Sequence, residues 1–195
     1  MLRWKAIMVL WTALLGAYLL GSIPSAYLLT RLITGEDIRR FGDGNVGAKN
    51  TFDSVSRAAG LAVGVLDIGK GLIAVSMASR LELPPGQIML VGAAAVLGHD
   101  LPLYLRFRGG QGLAASVGTF LALFPREMLL AATLILLALI ITRHWEWSLA
   151  AGFILMILLL LGGRPLFWTF YAVALLLGVA FRKLLAARRA GELPA

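Results

Sequence analysis

The stretch LAVGVLDIGKGLIAVSMAS, Leu61–Ser79, decides how the rest of the chain is read. It is almost as long and as apolar as a helix that crosses the hydrocarbon of a bilayer, which takes about 20 residues. Yet Asp67 and Lys70 stand inside it. At a spacing of three they share one face of a helix, so each can neutralise the other. Ionised groups at membrane depth are costly and persist where they pair or take part in function. The residues alone leave two readings open, an ion pair that closes a helix bundle or part of a polar site.

Similar apolar runs lie on both sides of it, at Ile7–Leu29, Gln87–Leu105, Gly112–Phe124, Met128–Ile141, Ser148–Leu161 and Pro165–Phe181. Pro and Gly punctuate them at Pro84-Pro85-Gly86, Phe124-Pro125-Arg126 and Gly162-Gly163-Arg164-Pro165, where a helix continues poorly. The chain is 59% hydrophobic and 14% charged, whereas a soluble domain carries about 25% charged residues. A single small core cannot hide that much apolar surface, so lipid must cover it. The expected fold is an all-α integral membrane protein, one multipass domain over residues 1–195. Seven apolar runs predict a bundle of about seven transmembrane helices; because several are short, the range is five to seven.

The net charge of +8 is spread between the apolar runs and does not gather on one face. That pattern fits topology signals and lipid headgroups, and it argues against nucleic acid. With the N-terminus outside, Arg31, Arg39, Arg40, Lys49, Arg57, Arg106, Arg108, Arg143, Arg182, Lys183, Arg188 and Arg189 fall inside. Arg3, Lys5, Arg80, Arg126 and Arg164 fall outside. Twelve against five places the C-terminus and the polar loops in the cytoplasm. Arg3 and Lys5 pull the other way and also suit the start of a signal peptide, but the first run continues directly into a polar motif and is read as retained. Cysteine is absent, which removes disulfides, thiolate metal sites and cysteine nucleophiles.

The loops on the inferred inner face hold the candidate chemistry. Asp37–Asp53 is dense in Gly, Asn and paired charge, and includes Gly44, Asn45 and Asn50. Glycines let backbone N–H groups converge on an anion while Arg, Lys and Asn complete the cradle. A solvated loop rich in turn formers would look similar. Gly98-His99-Asp100-Leu101-Pro102 places a histidine at a run's end, where it serves either as a packed hydrogen-bonding residue or as an acid, base or phosphate donor. Arg106 through Ala114 is a Gly-rich turn entering a helix, with Arg108, Gly109 and Gly110 at its centre. Free N–H groups and the positive dipole end suit phosphate there. The Gly-Lys-Ser/Thr ending of a Walker loop is missing. Arg143 and Ser148 add one more polar corner on the same face.

In order and spacing these motifs resemble the bacterial acyl-phosphate-dependent glycerol-3-phosphate acyltransferases, multipass enzymes of phospholipid synthesis. The matching stretches are Gly21-Ser22-Ile23-Pro24, Gly44 through Ala48 with Asn50, Leu66-Asp67 with Lys70-Gly71, Gly98-His99 with Pro102, and Phe107 through Gly112. The resemblance implies acyl transfer from acyl phosphate to glycerol 3-phosphate, giving lysophosphatidic acid at the inner membrane of a bacterium. It implies no metal, no cofactor and no CoA, and as partners membrane lipids and the soluble enzyme that makes acyl phosphate. Departures are plain. Asp43 stands where the family shows Ser, Lys49 where it shows Thr, Asp53 where it shows Arg, and Gln111 where it shows a second Lys. The Arg-Tyr-Val-Ser turn becomes Arg143 through Ser148, shifted, and the C-terminal His-Arg pair is absent, with only Arg182-Lys183 nearby.

From the motifs, Asp67, Lys70 and His99 are the candidate catalytic residues. Gly44, Asn45, Asn50, Arg108, Gly109, Gly110, Arg143 and Ser148 are the candidate substrate-binding residues. Two other classes are compatible with the sequence. One is a degenerate member that binds lipid or a partner without catalysis. The other is a small transporter, which one-sided motifs without a midplane site disfavour.

Overall fold

A computed structural model describes residues 2–189, with side chains from 4 to 188; the side chains of Arg3 and Arg189 lie outside the described residues. The described chain is helical: α1 (Leu2–Ser22), α2 (Ser25–Thr34), α3 (Ala48–Ser54), α4 (Arg57–Arg80), α5 (Pro85–Asp100), α6 (Leu113–Leu123), α7 (Pro125–Thr142), α8 (Trp145–Gly163) and α9 (Leu166–Arg189). Boundaries follow local chemistry. Ser56 caps α4, Pro85 and Pro125 open α5 and α7 where a missing N–H does no harm, and Gly35 ends α2 in the left-handed region.

Among the described residues six spans are long and apolar enough to cross a membrane, with α1 and α2 forming one of them across a break at Ile23–Pro24. The seventh apolar element, α6, has 11 residues. It rises only about 17 Å, against the ~30 Å of hydrocarbon that a full span crosses. The expected count of about seven therefore resolves into six full spans and one short helix.

Two kinds of packing build the bundle. Helices α1, α4, α5 and α6 meet through small residues. A Cβ on Gly21 would strike the Ala95 carbonyl, and one on Gly98 the Tyr18 carbonyl, so α1 and α5 touch backbone to backbone. Gly71 and Gly118 do the same for α4 and α6, facing the Ala115 and Ile68 carbonyls. Between lipid-soluble helices such close approach replaces the hydrophobic effect as the source of attraction. In contrast, α6 to α9 share a bulky cluster of Phe120, Phe124, Met128, Phe153, Met156 and Leu160. Trp11, Val65, Leu136, Phe170 and Leu177 point outward, as a lipid-facing surface requires.

Candidate functional site

At one end of the bundle three segments converge: the loop from Arg39 to Val46, the turn from Arg106 to Gln111, and the last turns of α9 from Arg182 to Ala187. They enclose a cleft of about 820 Å³. The first segment is shaped by its own side chains. Asp37 accepts the Arg39 N–H and opens a short 3₁₀ turn, then grips the Arg39 guanidinium. That hydrogen-bonded guanidinium holds the Asp37 carboxyl below the usual carboxylate range. Asp43 accepts the Asn45 N–H at 3.0 Å, and Gly44 takes φ +71°, a left-handed turn that a side chain would strain. Behind the loop the Asn50 amide donates to the Phe41 and Asn45 carbonyls at 2.9 and 3.0 Å, while its own oxygen accepts from Ser54.

Beneath the cleft lies a narrow crevice of about 10 Å³ lined by Asp67, Lys70 and His99. It shares Val46 and Gly109 with the cleft above. The Lys70 ammonium donates to Asp67 Oδ1 at 2.6 Å and to the Ile23 carbonyl at 2.5 Å. Breaking the first span at Pro24 leaves that carbonyl only the tight-turn N–H of Ser25, at 3.0 Å, and Lys70 supplies a second donor to it. His99 Nδ1 stands 3.7 Å from Asp67 Oδ1, a charge-pair distance beyond hydrogen-bond reach. A Cβ on Gly110 would collide with His99 Nε2, so that nitrogen faces the Gly turn. The Gly110 N–H donates to the His99 carbonyl at 3.1 Å, fixing the turn onto the end of α5.

The crevice leads on, through Ile23 and Pro24, to an open apolar groove of about 340 Å³ lined also by Tyr27, Leu28, Tyr104 and Leu105. A polar cleft, a charged crevice and a groove on the lipid side thus adjoin in series. Such an order suits a reaction between a water-soluble anion and an amphiphile, with the polar end of each meeting at the crevice.

Electrostatics narrow the list of groups that can bind an anion. Five cations line the cleft: Arg39, Arg106, Arg108, Arg182 and Lys183. Arg39 is neutralised by Asp37, and Lys183 by Glu146 at 2.5 Å. Arg182 donates to backbone carbonyls. Arg106 and Arg108 have no side-chain partner among the described residues. They flank Phe107, and Arg106 and Phe107 both sit at positive φ, +53° and +62°. Two successive left-handed residues with side chains cost roughly 1–2 kcal/mol each, a strain maintained where the turn presents its cations and glycines.

The structure brings Gly44, Asn45, Arg108, Gly109 and Gly110 to the cleft wall and Asp67, Lys70 and His99 to the crevice. Asn50 stands behind the loop as its organiser. Arg143 and Ser148 lie at the α7–α8 corner and line none of these cavities; Ser148 is buried, donating to the His144 carbonyl at 2.8 Å. Of the two acidic departures, Asp53 pairs with Lys49 at 2.6 Å on α3, whereas Asp43 lines the cleft and has no cation partner among the described residues. The Asp53 contact raises the Lys49 pKa above the usual lysine value. Arg39, Arg106 and Arg182 line the cleft without having been singled out in the sequence. Arg106 had a signal, its place in the Gly turn; Arg182 had another, since with Lys183 it stands near the place of the family's C-terminal His-Arg pair.

The family model described as glycerol-3-phosphate acyltransferase matches residues 11–190. Glycerol-3-phosphate acyltransferase 1 of Dehalococcoides mccartyi is 42% identical over 186 residues, covering 91% of this chain and 88% of the relative. Two crystal structures of PlsY (YgiH), an integral membrane glycerol 3-phosphate acyltransferase, superpose over 94% of this chain and 93% of theirs. The glycerol 3-phosphate form has a TM-score of 0.82 at 28% identity. The lysophosphatidic acid form has a TM-score of 0.79 at 27% identity.

Proposed function

The chain belongs to the glycerol-3-phosphate acyltransferase family, and on that premise we propose that it moves a fatty acyl group from acyl phosphate to glycerol 3-phosphate, giving lysophosphatidic acid. The supporting observation is the series of cavities: cleft, crevice and lipid-side groove, joined through Val46 and Gly109 and then through Ile23 and Pro24. Glycerol 3-phosphate enters the cleft with its phosphate at Arg108, Arg106 and the Gly109-Gly110 turn. The acyl chain lies in the groove, so the mixed anhydride reaches the crevice.

A glycerol hydroxyl oxygen attacks the acyl carbonyl carbon, the carbonyl–phosphate oxygen bond breaks, and inorganic phosphate leaves. The hydroxyl proton goes to His99 Nε2 or to a phosphate oxygen of the substrates. A mixed anhydride is already activated, so the protein supplies position and charge stabilisation rather than a covalent intermediate. Lys70, held by Asp67, keeps positive charge beside the reacting carbonyl.

The twelve-to-five charge asymmetry supports a cytoplasmic site in a bacterial inner membrane. Supply of a reactive acyl phosphate from the cytoplasm calls for a soluble acyl-phosphate-forming enzyme as a functional partner. Labelling of Arg40→Cys and Arg188→Cys in this cysteine-free chain tests the sidedness; modification of either from outside would overturn it. Gly109 is unsuited to such a probe, since a side chain there would strike the His99 carbonyl and Pro102.

Purified protein in lipid, given acyl phosphate and glycerol 3-phosphate, tests the reaction. Lysophosphatidic acid is expected with acyl phosphate and not with acyl-CoA, because neither His99 nor His144 begins a His-x4-Asp acyltransferase motif. Equal turnover with acyl-CoA refutes the donor assignment.

A further inference from the structure

The last helix is the least embedded part of the bundle. Only 6% of its apolar window is buried, against 50% for the span that contains α5. Yet its end forms one wall of the cleft through Arg182, Lys183, Leu185, Ala186 and Ala187. Two charged side chains attach that end. Lys183 reaches Glu146 on α8. Arg182 reaches across to the site itself, donating to the Asp100 carbonyl at 2.8 Å and to the Gly110 carbonyl at 3.3 Å.

Both acceptors matter for what surrounds them. Asp100 is the last residue of α5, and a helix leaves its final carbonyls without intrahelical donors. Gly110 is the residue whose N–H binds the His99 carbonyl and whose α-carbon abuts His99 Nε2. With Arg182 on its carbonyl, Gly110 is tied on both sides. The guanidinium makes no carboxylate hydrogen bond, although Asp100 is 5% exposed and its Oδ1 has no partner among the described residues. A basic residue serving only as a topology anchor would extend toward water and headgroups. This one instead turns Nη2 inward onto two backbone carbonyls beside the catalytic histidine, although its buried Nε finds no partner among the described residues.

We infer that Arg182 is a positioning residue for acyl transfer, a latch by which α9 holds the Gly109-Gly110 turn against His99. The inference rests on the acyl-transfer reading above and acts through Gly110 rather than through substrate. Arg188, on the same helix and outside the cleft lining, provides the control for loss of one positive charge.

The test compares wild type, Arg182→Met, Arg182→Lys and Arg188→Met in matched lipid preparations. Steady-state kinetics with acyl phosphate and glycerol 3-phosphate are read beside hydrogen exchange of the segment 106–113. For Arg182→Met, kcat is expected to fall about 10- to 100-fold, the range for losing charge-assisted hydrogen bonds. KM for glycerol 3-phosphate should move less than about threefold, as for an interaction that orients rather than binds. Exchange in 106–113 should quicken. Arg182→Lys, which retains N–H donors, should lie between wild type and Arg182→Met, and it serves as the reporter where the Met variant fails to insert. Arg188→Met should match wild type in both measurements.

Unchanged exchange in the Arg182 variants, or kinetics equal to those of Arg188→Met, overturns the latch. A raised KM with kcat preserved overturns it as well and makes Arg182 a phosphate ligand. Absence of turnover in the wild type would defeat the acyl-transfer reading alone, because the exchange measurement still decides whether Arg182 holds the turn.

Discussion

The two sides of this bundle are held together by different means. In the first, α1, α4, α5 and α6 approach through glycines and alanines and carry buried polar groups, among them Asp67, Lys70 and His99. In the second, α7, α8 and α9 meet chiefly through Phe, Met and Leu, with Gly152 of α8 the one glycine among their described residues set close against α7, and α9 is only 6% buried against 44–50% for α4 and α5. Close backbone contact leaves little room to adjust, which suits helices that must hold an ammonium, a carboxylate and an imidazole in fixed relation. Side-chain packing deforms more readily, which suits helices whose outer faces meet lipid. Each side also has an ion pair. Asp67–Lys70 is 2% and 5% exposed, whereas Glu127–Arg164, which ties α7 to the α8–α9 turn, is 11% and 37% exposed.

The sharpest way to break the contrast is to add volume on each side. Gly118→Leu places carbon where the Ile68 carbonyl stands, and should abolish recovery of monodisperse protein; its cost exceeds the ~1–3 kcal/mol usual for overpacking because backbone must move. Gly178→Leu meets open space and should leave the melting temperature nearly unchanged. Similar yields and melting curves for the two would show that small-residue contact does not distinguish the halves.

Next come the ion pairs. Lys70→Met strands the Asp67 carboxylate and takes one of two donors from the Ile23 carbonyl, with an expected cost of about 3–5 kcal/mol, typical of breaking a buried pair, and loss of measurable turnover. Arg164→Met should cost about 1 kcal/mol or less, since a partly exposed pair gains little. Thermal unfolding monitored in one detergent ranks them; a reversed order would contradict the assignment of the polar interior to the first side.

A smaller effect separates cations within reach of solvent. Arg108→Ala should reduce kcat/KM about 10- to 150-fold, the equivalent of about 1.5–3 kcal/mol. Arg126→Ala, at the opposite end, should stay within about twofold. Equal losses would remove the phosphate role from the Gly turn.

The smallest expected effect concerns Lys49 and Asp53, whose pair is half exposed. Lys49→Met should shift stability by less than about 0.5 kcal/mol. Because Asp53 raises the Lys49 pKa, the pair's contribution is complete below the unfolded lysine pKa and fades only as pH rises through the folded one. Melting temperatures of wild type and Lys49→Met should therefore differ by the same small amount from pH 6 to pH 9; a difference that changes across that range would mean another group titrates against Lys49.

The contrast also explains what could be read from the residues alone. Hydropathy located every apolar run, and even the shortness of α6 was visible in Gly112–Phe124. Spacing showed that Asp67 and Lys70 share a face. It could not show that Lys70 also reaches the Ile23 carbonyl, because that contact depends on how a break at Pro24 is turned toward α4. Nor could it bring Arg182 to Gly110, since a helix apolar on nearly all sides gives no signal of its rotation. Arg143 and Ser148 share the membrane face of the site, as charge counting implies, but a common face does not fix lateral position. The left-handed backbone at Arg106 and Phe107 had no sign in residue type, because glycine or asparagine is the usual marker and neither is present.

The shortness of α6 has a chemical consequence. A helix rising about 17 Å covers little more than half of a ~30 Å hydrocarbon layer, so with its Phe124 end at one surface the Gly turn at its start is sunk about 13 Å below the other. An acyl anhydride can then react at the depth where its carbonyl already rests, while the polar acceptor descends to meet it. The crevice of about 10 Å³ at Asp67, Lys70 and His99 has room for about one water at most, and a mixed anhydride hydrolyses readily. The half-length helix thereby biases the partition of a labile donor toward an alcohol and away from solvolysis.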